Sequence, residues 1–541
     1  MIVEEKDENW WKHGIVYHIY PRSFMDSNND GQGDLQGIIE KLNYLEELGI
    51  QAIWLSPIYQ SPLIDGGYDI SDYKSIHPSF GTMDDFKQLL NEAHRRNIRI
   101  IMDLVLNHTS DMHPWFLESK SSKENDKRDW YIWLPPRKGK PPNNWRTNFG
   151  KKAWRYDHLT EEYYYHSFFW EQPDLNWRNP EVKKTMFDII SFWLDMGVDG
   201  FRLDVINMIF KNSLFKNDTI ISLFSNKEVF SRNQPEVYEV LKEFRLLLEK
   251  YPEKTSIGEI YTPPPGNAKL VTTFLGNGSD MLHLVFDFSL IFSFWNASSY
   301  YKIINKYYQH IPPKGWPCFF LSNHDIGRSV GRTILAFHKQ PKAKLHATLL
   351  LTLKGTPFIY YGEEIGMENT DIPKHKIKDL YGKIFYPFFK GRDGARTPMQ
   401  WDDSLNGGFT TGDSWLPLHK NYRQMNVEKQ AEIYDSVLNV YKHLIKLRNK
   451  AFVLQHGEIQ FVKIKQKGVL CYERTLENQK VLVALNFTSR KKTVSYKLSE
   501  QVKVLFSTHN LQHFNKNTVF LKPFEAIVLG IKMRMIDINC C

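Results

Sequence analysis

Residues 99–108 read RIIMDLVLNH and residues 200–205 read GFRLDV, two near-continuous apolar runs that each end on chemistry-bearing side chains. Continuous apolar character, as opposed to strict alternation, is expected of parallel strands buried on both faces. Six more such runs stand on either side: IVYHIYP (15–21), AIWLSP (52–57), TSIGEI (255–260), LVFDFS (284–289), CFFLSNHD (318–325) and PFIYYGEE (357–364). Helical stretches separate them. In DLQGIIEKLNYLEELG the residues Ile38, Leu42, Leu45 and Leu48 form one stripe, and Gly49 is placed to end the helix. In DDFKQLLNEAHRRN, Phe86, Leu89, Leu90 and Ala93 repeat the pattern. Eight strands alternating with helices predict an α/β fold, a (β/α)8 TIM barrel. A doubly wound open sheet competes, but no glycine-rich phosphate loop follows the first run, which ranks it lower.

Two segments leave the alternation. From His108 to about Leu175 the composition shifts to Trp, Pro, Lys and Tyr, as in LPPRKGKPPNNW. This stretch is too long and irregular for a simple βα loop and is expected to be a subdomain inserted after strand 3. After about Ala451 short β stretches follow one another (EIQFVKIK, GVLCYERT, KVLVALNFT, TVSYKLS, AIVLGIKM), which predicts a C-terminal all-β sandwich. The expected organisation is a barrel over 1–107 and 176–450, an insert over 108–175, and a sandwich over 451–541 ending in a frayed tail, IDINCC, after Met535.

Composition narrows the function classes. With 42% hydrophobic and 24% charged residues the chain reads as globular, not disordered. A net charge of +9 over 541 residues, without a dense basic block, gives no footprint for nucleic acid. No apolar run is long enough to span a bilayer, and the start, MIVEEKDENWWKHG, lacks a secretory signal's basic and apolar regions. The four cysteines, Cys318, Cys471, Cys540 and Cys541, show neither metal spacing nor a disulfide framework, so a cytoplasmic setting is expected. The expected partner is a small-molecule substrate, with no nucleic acid and no membrane, and a monomer.

Three apolar runs end on acids: GFRLD at Asp204, SIGE at Glu259 and FFLSNHD at Asp325. A carboxylate beside an apolar core loses hydration, so such acids are costly unless used. Structural salt bridges are the plainer account of any one of them. Three converging acids supply a nucleophile, a proton donor and a charge stabiliser, which is what cleaving a glycosidic bond requires. Arg202, two residues before Asp204, points to the same side of its strand, where its cation would hold Asp204 ionised.

The strings DLVLNH, GFRLD, GEI and SNHD, in this order, resemble the four signature regions of the alpha-amylase family of glycoside hydrolases. QPDLN and ARTPMQWD resemble the branch holding oligo-1,6-glucosidases and maltases. The resemblance implies roles by position. Asp204 would be the nucleophile, Glu259 the general acid/base and Asp325 the third acid, on sugar hydroxyls. His108 and His324 would donate hydrogen bonds to glucose, and Asp65 and Tyr68 would grip its far end. Arg396 would join Asp65 in closing that end of the pocket. Gln172 and Phe149 would touch sugar from the insert, with ordinary packing as the alternative. The resemblance also implies a retaining, exo-acting α-glucosidase. Val205 after the nucleophile goes with α-1,6 linkages in related enzymes, while IYTPPP after Glu259 departs from the branch. Maltase, trehalose-6-phosphate hydrolase and glucosyltransferase or sucrose isomerase are the alternatives, with a non-catalytic binding relative more remote. Lys151 and Lys152 in FGKKAW suit either a phosphate or a solvated basic turn.

DSNNDGQGD, residues 26–34, places oxygen-bearing side chains at alternate positions: Asp26, Asn28, Asp30, Gln32 and Asp34. With a glycine for the sharp turn, that spacing suits a hard cation such as Ca²⁺. An EF-hand would require Glu twelfth in the loop, where Gly37 stands. A plain Asn/Asp/Gly turn is the alternative. The metal would be structural, since catalysis by three acids needs no cofactor.

Overall fold

The computed structural model describes residues 8–219, 221, 229–262, 265–332, 338–498, 502–509 and 514–532. The tail IDINCC with Cys540 and Cys541, the first seven residues and Pro263–Pro264 of IYTPPP lie outside the described residues.

Eight strands occupy the eight predicted runs: β1 Val16–Ile19, β2 Ala52–Leu55, β3 Arg99–Val105, β4 Gly200–Asp204, β5 Thr255–Glu259, β6 Leu284–Phe286, β7 Cys318–Phe320 and β8 Thr356–Tyr360. They lie side by side in the order β6-β5-β4-β3-β2-β1-β8-β7, every pair parallel. At the seam between β6 and β7 the Cys318 thiol reaches the Val285 carbonyl at 3.2 Å.

Each strand is apolar on both faces because each face has a core. Val16, Trp54, Ile101, Ile257, Phe286 and Phe358 fill the inside of the ring. Tyr17, Ile53, Ile100, Phe201, Leu203 and Ile359 face out, against the helix stripes of Leu42, Leu45, Leu48, Phe86 and Leu89. The period of two then carries Asp103, Arg202, Asp204 and Glu259 to the inward side, beyond Ile101 and Ile257. Register sets their height: Asp204 stands opposite Val105, and Glu259 opposite Phe286. The Asp204 and Glu259 carboxyls are therefore the last inward positions of β4 and β5, at the face where barrels place chemistry.

The outer helices start and stop on local signals. Met83–Arg95 opens with a capping box between Thr82 and Asp85. Pro180–Met196 opens on Asn179 and closes on Gly197 in the left-handed region. The single helix expected over 34–49 is two, Leu35–Glu40 and Leu42–Leu48, broken at Lys41 (φ −98°, ψ 5°). Its apolar stripe is nonetheless continuous and buried.

After β3 the chain forms a helix, Pro114–Ser121, and a three-stranded antiparallel sheet with Glu162–Tyr165 between Trp133–Leu134 and Trp154–Asp157. Antiparallel bridges of His108 to Asp174 and of Tyr131 to Leu175 tie its two ends together. Beyond the barrel stand a five-stranded and a three-stranded sheet. Cys471, Leu482, Ala484 and Leu529 of the first pack on Val494, Val519 and Leu521 of the second, while Tyr472, Val483 and Val528 on the opposite face join the barrel's outer core. Among the described residues no helix is long and apolar enough to cross a membrane.

Candidate active site

At the floor of the barrel mouth one guanidinium serves three carboxylates. Arg202, fully buried, places Nη1 2.7 Å and 2.9 Å from the two Asp103 oxygens and 2.8 Å from Asp204 Oδ1, and donates from Nη2 to Glu259. The Tyr68 hydroxyl donates to Asp103 Oδ2 at 2.9 Å, and Trp54 Nε1 lies 3.3 Å from the same oxygen. Asp204 and Glu259, predicted from two different strands, thus meet on one cation.

A second arginine closes the far end. Arg392 donates from Nη2 to Asp65 at 2.5 Å and from Nη1 to Asp325 at 3.1 Å. It is held by Asp379, which accepts from its backbone N–H at 2.7 Å and from Nη2 at 2.8 Å. Arg396, expected beside Asp65, sits instead on Asp325 Oδ1 at 2.9 Å and on the His324 carbonyl at 2.8 Å. The expectation is corrected by one turn of chain: Arg392 and Arg396 flank a short 3-10 turn, Asp393–Ala395, and Arg392 has the reach to Asp65. His324 stacks on Tyr68, ring centroids 5.2 Å apart and nearly parallel, with Nε2 3.2 Å from Asp325. Gln172 is fully buried behind the wall, donating to Asp65 Oδ2 at 3.1 Å and lying 3.1 Å from His108 Nε2. It positions two pocket residues and does not line the pocket.

The cavity holds about 420 Å³ and is lined by Asp65, Tyr68, His108, Asp204, Glu259, Asp325 and Arg392 at its polar end. Val205, Phe149, Phe168, Phe288, Phe292, Tyr381 and Phe389 form its apolar wall and mouth. Such a volume, with few convergent polar groups, suits a small ligand. Val205 has φ 33°, rare for a β-branched residue. The turn breaks the strand's alternation, so consecutive residues Asp204 and Val205 both face the cavity.

Residues 18–457 match the alpha amylase catalytic domain, and residues 469–528 the alpha-amylase SusG C-terminal domain. The chain belongs to the alpha-amylase family. It is 41% identical to an oligo-1,6-glucosidase of Parageobacillus thermoglucosidasius, over 97% of this chain and 99% of the relative. It is 38% identical to a trehalose-6-phosphate hydrolase of Bacillus subtilis (strain 168), over 96% and 98%. Among solved structures, the alpha-glucosyl transfer enzyme XgtA superposes with a TM-score of 0.90 at 36% identity, covering 97% and 99% of the two chains. Isomaltulose synthase from Erwinia rhapontici NX5 does so at 0.89 and 36%, with the same coverage.

In this glycoside hydrolase the acids differ in charge state. Burial pushes the Asp204 carboxyl well above the usual carboxylate range, against the pull of Arg202. Burial likewise raises Glu259 and Asp103. Three carboxyls around one cation titrate as a set. Arg202 pulls Asp204 toward its ionised form with a charge that three acids share. For Asp325 burial also pushes upward, but His324, Arg392 and Arg396 outweigh it and hold the carboxyl well below the usual range. Burial lowers His108 to about 4, so the ring is neutral near pH 7.

At the 26–34 loop, Asp26 accepts from the N–H groups of Asn28, Asn29 and Gly31 at 3.1, 2.8 and 2.8 Å. Asp34 accepts from the Ser27 and Gly37 N–H groups at 3.0 and 2.7 Å. Asn28 and Asp30 accept from the Asp30 and Gln32 N–H groups, at 2.9 and 2.8 Å. Side chains thus hold the loop's shape, and among the described residues no group of three or more His, Cys, Asp or Glu is arranged to hold a metal ion. Lys151 and Lys152 lie at the exposed surface, outside the cavity lining.

Sequence reasoning missed Arg392, Asp379 and Asp103, and most of the aromatic wall. Asp103 opened a string already singled out, DLVLNH, and Arg392 stood three residues before another, ARTPMQWD. The rest of the wall offered no such signal, because Phe168, the segment carrying Phe288 and Phe292, and Phe389 come from three loops far apart in the chain.

Proposed function

We propose that this enzyme is a retaining, exo-acting α-glucosidase of the oligo-1,6-glucosidase type, releasing glucose from the non-reducing end of short α-glucosides. The observation that carries the reading is the pocket itself: Asp204 and Glu259 share Arg202 at one place, and the Asp65–Arg392–Asp325 cluster seals the end beyond. A sealed end admits one terminal sugar. Asp204 attacks the anomeric carbon and forms the glycosyl ester as the glycosidic bond breaks. Glu259 protonates the departing oxygen. It then takes a proton from the water that hydrolyses the ester. Asp325, ionised beside its cations, faces the developing positive charge. The α-1,6 preference is supported by Val205 in the cavity wall and by the oligo-1,6-glucosidase relatives.

Isomaltose, maltose, sucrose, trehalose and trehalose 6-phosphate, with product anomers followed by NMR, form the test. Rapid release of α-glucose from isomaltose is expected; preference for maltose would discard the linkage assignment, and release of β-glucose the retaining mechanism. Rearranged sugars would favour a second reading, glucosyl transfer or sucrose isomerisation, which the aromatic mouth supports by limiting water near the ester.

For residues 26–34 we infer a structural Ca²⁺ on the oxygens of Asp26, Asn28, Asp30, Gln32 and Asp34, supported by an all-oxygen donor set in a preformed turn. A lower melting temperature in chelator, restored by Ca²⁺, is expected; equal melting with and without it would remove the metal. We further infer a monomer in a reducing, cytoplasmic setting, in keeping with the free, buried Cys318 and Cys471. Size-exclusion chromatography and cell fractionation check both.

A further inference from the structure

Behind the pocket wall, apart from the three acids, lies a second buried charge cluster. Lys211 is 1% exposed, with Nζ 2.5 Å from Asp174, 2.8 Å from Asn107 Oδ1 and 5.5 Å above the Tyr165 ring. Asp174 also accepts from Asn107 Nδ2 at 2.9 Å and from the Ser167 N–H and hydroxyl at 2.7 and 2.6 Å. Asn107 follows β3, Asp174 lies on the insert's return and Lys211 follows β4, so the lysine joins three chain segments.

These partners fix the Asn107 amide. Lys211 donates to Oδ1, and the Asp174 carboxylate accepts from Nδ2. The remaining Nδ2 hydrogen faces His108 Nδ1 at 3.2 Å. On the other side of the ring Gln172 is oriented the same way. Its Oε1 accepts from the Phe169 N–H and its Nε2 donates to Asp65, which leaves Nε2 3.1 Å from His108 Nε2. A neutral ring accepts from one amide and gives its single proton to the Tyr68 backbone. An imidazolium would meet an N–H donor at both nitrogens.

We propose that Lys211 is a positioning residue: by pairing with Asp174 and fixing the Asn107 amide, it keeps His108 a neutral imidazole in the sugar pocket. The charged and titratable groups facing His108 are Asp174, Asp65, Tyr68 and Lys211; those facing Lys211 are Asp174, Arg178 and Tyr165. Asp65 is paired with Arg392, and Asp174 with Lys211. Without the lysine, Asp174 becomes a buried anion next to His108, and the ring relieves it by taking a proton. A charged His108 would add a cation beside the carbon where positive charge develops, which opposes the oxocarbenium-like transition state.

The test is NMR titration of histidine-labelled enzyme, with H108Q assigning the His108 signal. In wild type the ring is expected to stay neutral down to about pH 5. In K211M it should titrate at least about one unit higher, and the acid limb of kcat/KM should move up with it. At about pH 5 kcat/KM of K211M should be about half that of wild type, converging with it near neutral pH where both rings are neutral, and K211R should restore both limb and rate. A wild-type ring charged at pH 6, or a folded K211M with ring and limb unmoved, would overturn the proposal. K211Q, which keeps a donor without charge, is the second variant should K211M fail to fold, with the same shift expected. The kinetic arm rests on the α-glucosidase reading, whereas the NMR arm needs no turnover, so the two can fail separately.

Discussion

Asp204 and Val205 are neighbours that both face the cavity, which an undistorted strand forbids, because successive side chains point to opposite faces. The left-handed turn at Val205 is what joins the proposed nucleophile and the wall proposed to read linkage in one dipeptide. Val205→Thr keeps the branched shape and adds a hydroxyl to that wall. The isomaltose-to-maltose ratio of kcat/KM should move toward maltose by about tenfold, within the roughly 1–3 kcal/mol that one small group is worth in a pocket. An unchanged ratio would remove Val205 from specificity. For Asp204→Asn, kcat should fall by at least about a thousandfold. Its stability should not fall with it. Burial raises the Asp204 carboxyl on folding, so keeping it ionised for the attack costs stability above the unfolded pKa. The amide removes that cost, so the melting temperature at pH 7 should be equal or higher. A large loss of stability would mean that Asp204 supports the fold.

At the scale of elements, the first outer helix shows a stripe surviving a break. Ile38, Leu42, Leu45 and Leu48 remain buried together although Lys41 interrupts the helix, because Asp34 caps the first piece and the apolar face spans both. The helix ends on Gly49 at φ 87°. A Cβ there would also lie 2.9 Å from Ile445 Cγ2 on the helix Val437–Lys450. Gly49→Ala therefore combines backbone strain with a close contact, and should lower stability by about 1–2 kcal/mol, read as a lower thermal midpoint. An unshifted midpoint would show that the turn relaxes.

Over the whole molecule, buried carboxyls set the pH dependence of stability. Burial raises Glu363, beyond β8, to about 7, although Ser322 donates to it at 3.0 Å. Burial also raises Asp69, which accepts from the Ile64 and Asp65 N–H groups, to about 7. Both folded values lie above the unfolded ones, so the folded state binds more protons between about pH 4 and 7 and loses stability as pH rises through that window. Glu363→Gln should flatten the melting-temperature slope between pH 5 and 7. It should also add about 2–3 kcal/mol above pH 7. A slope identical to wild type would show that Glu363 does not titrate there.

The sequence by itself determined the barrel and the position of its acids. Eight short apolar runs alternating with helical stripes pointed to strands buried on both faces, and periods of 2 and 3.6 are local properties that survive without knowing the partner. Asp204, Glu259 and Asp325 were legible because they end such runs inside recognisable strings. Tertiary structure alone decided which cation meets which acid. Arg202 lies two residues from Asp204, yet it also holds Asp103 and Glu259 from neighbouring strands, and its charge is divided. Arg392 instead of Arg396 reached Asp65 because a short turn separates their directions. The aromatic mouth and the Lys211–Asp174–Asn107 cluster each draw on segments far apart in the chain. Their contacts depend on distances of a few ångströms set by packing, and no spacing along the sequence records those.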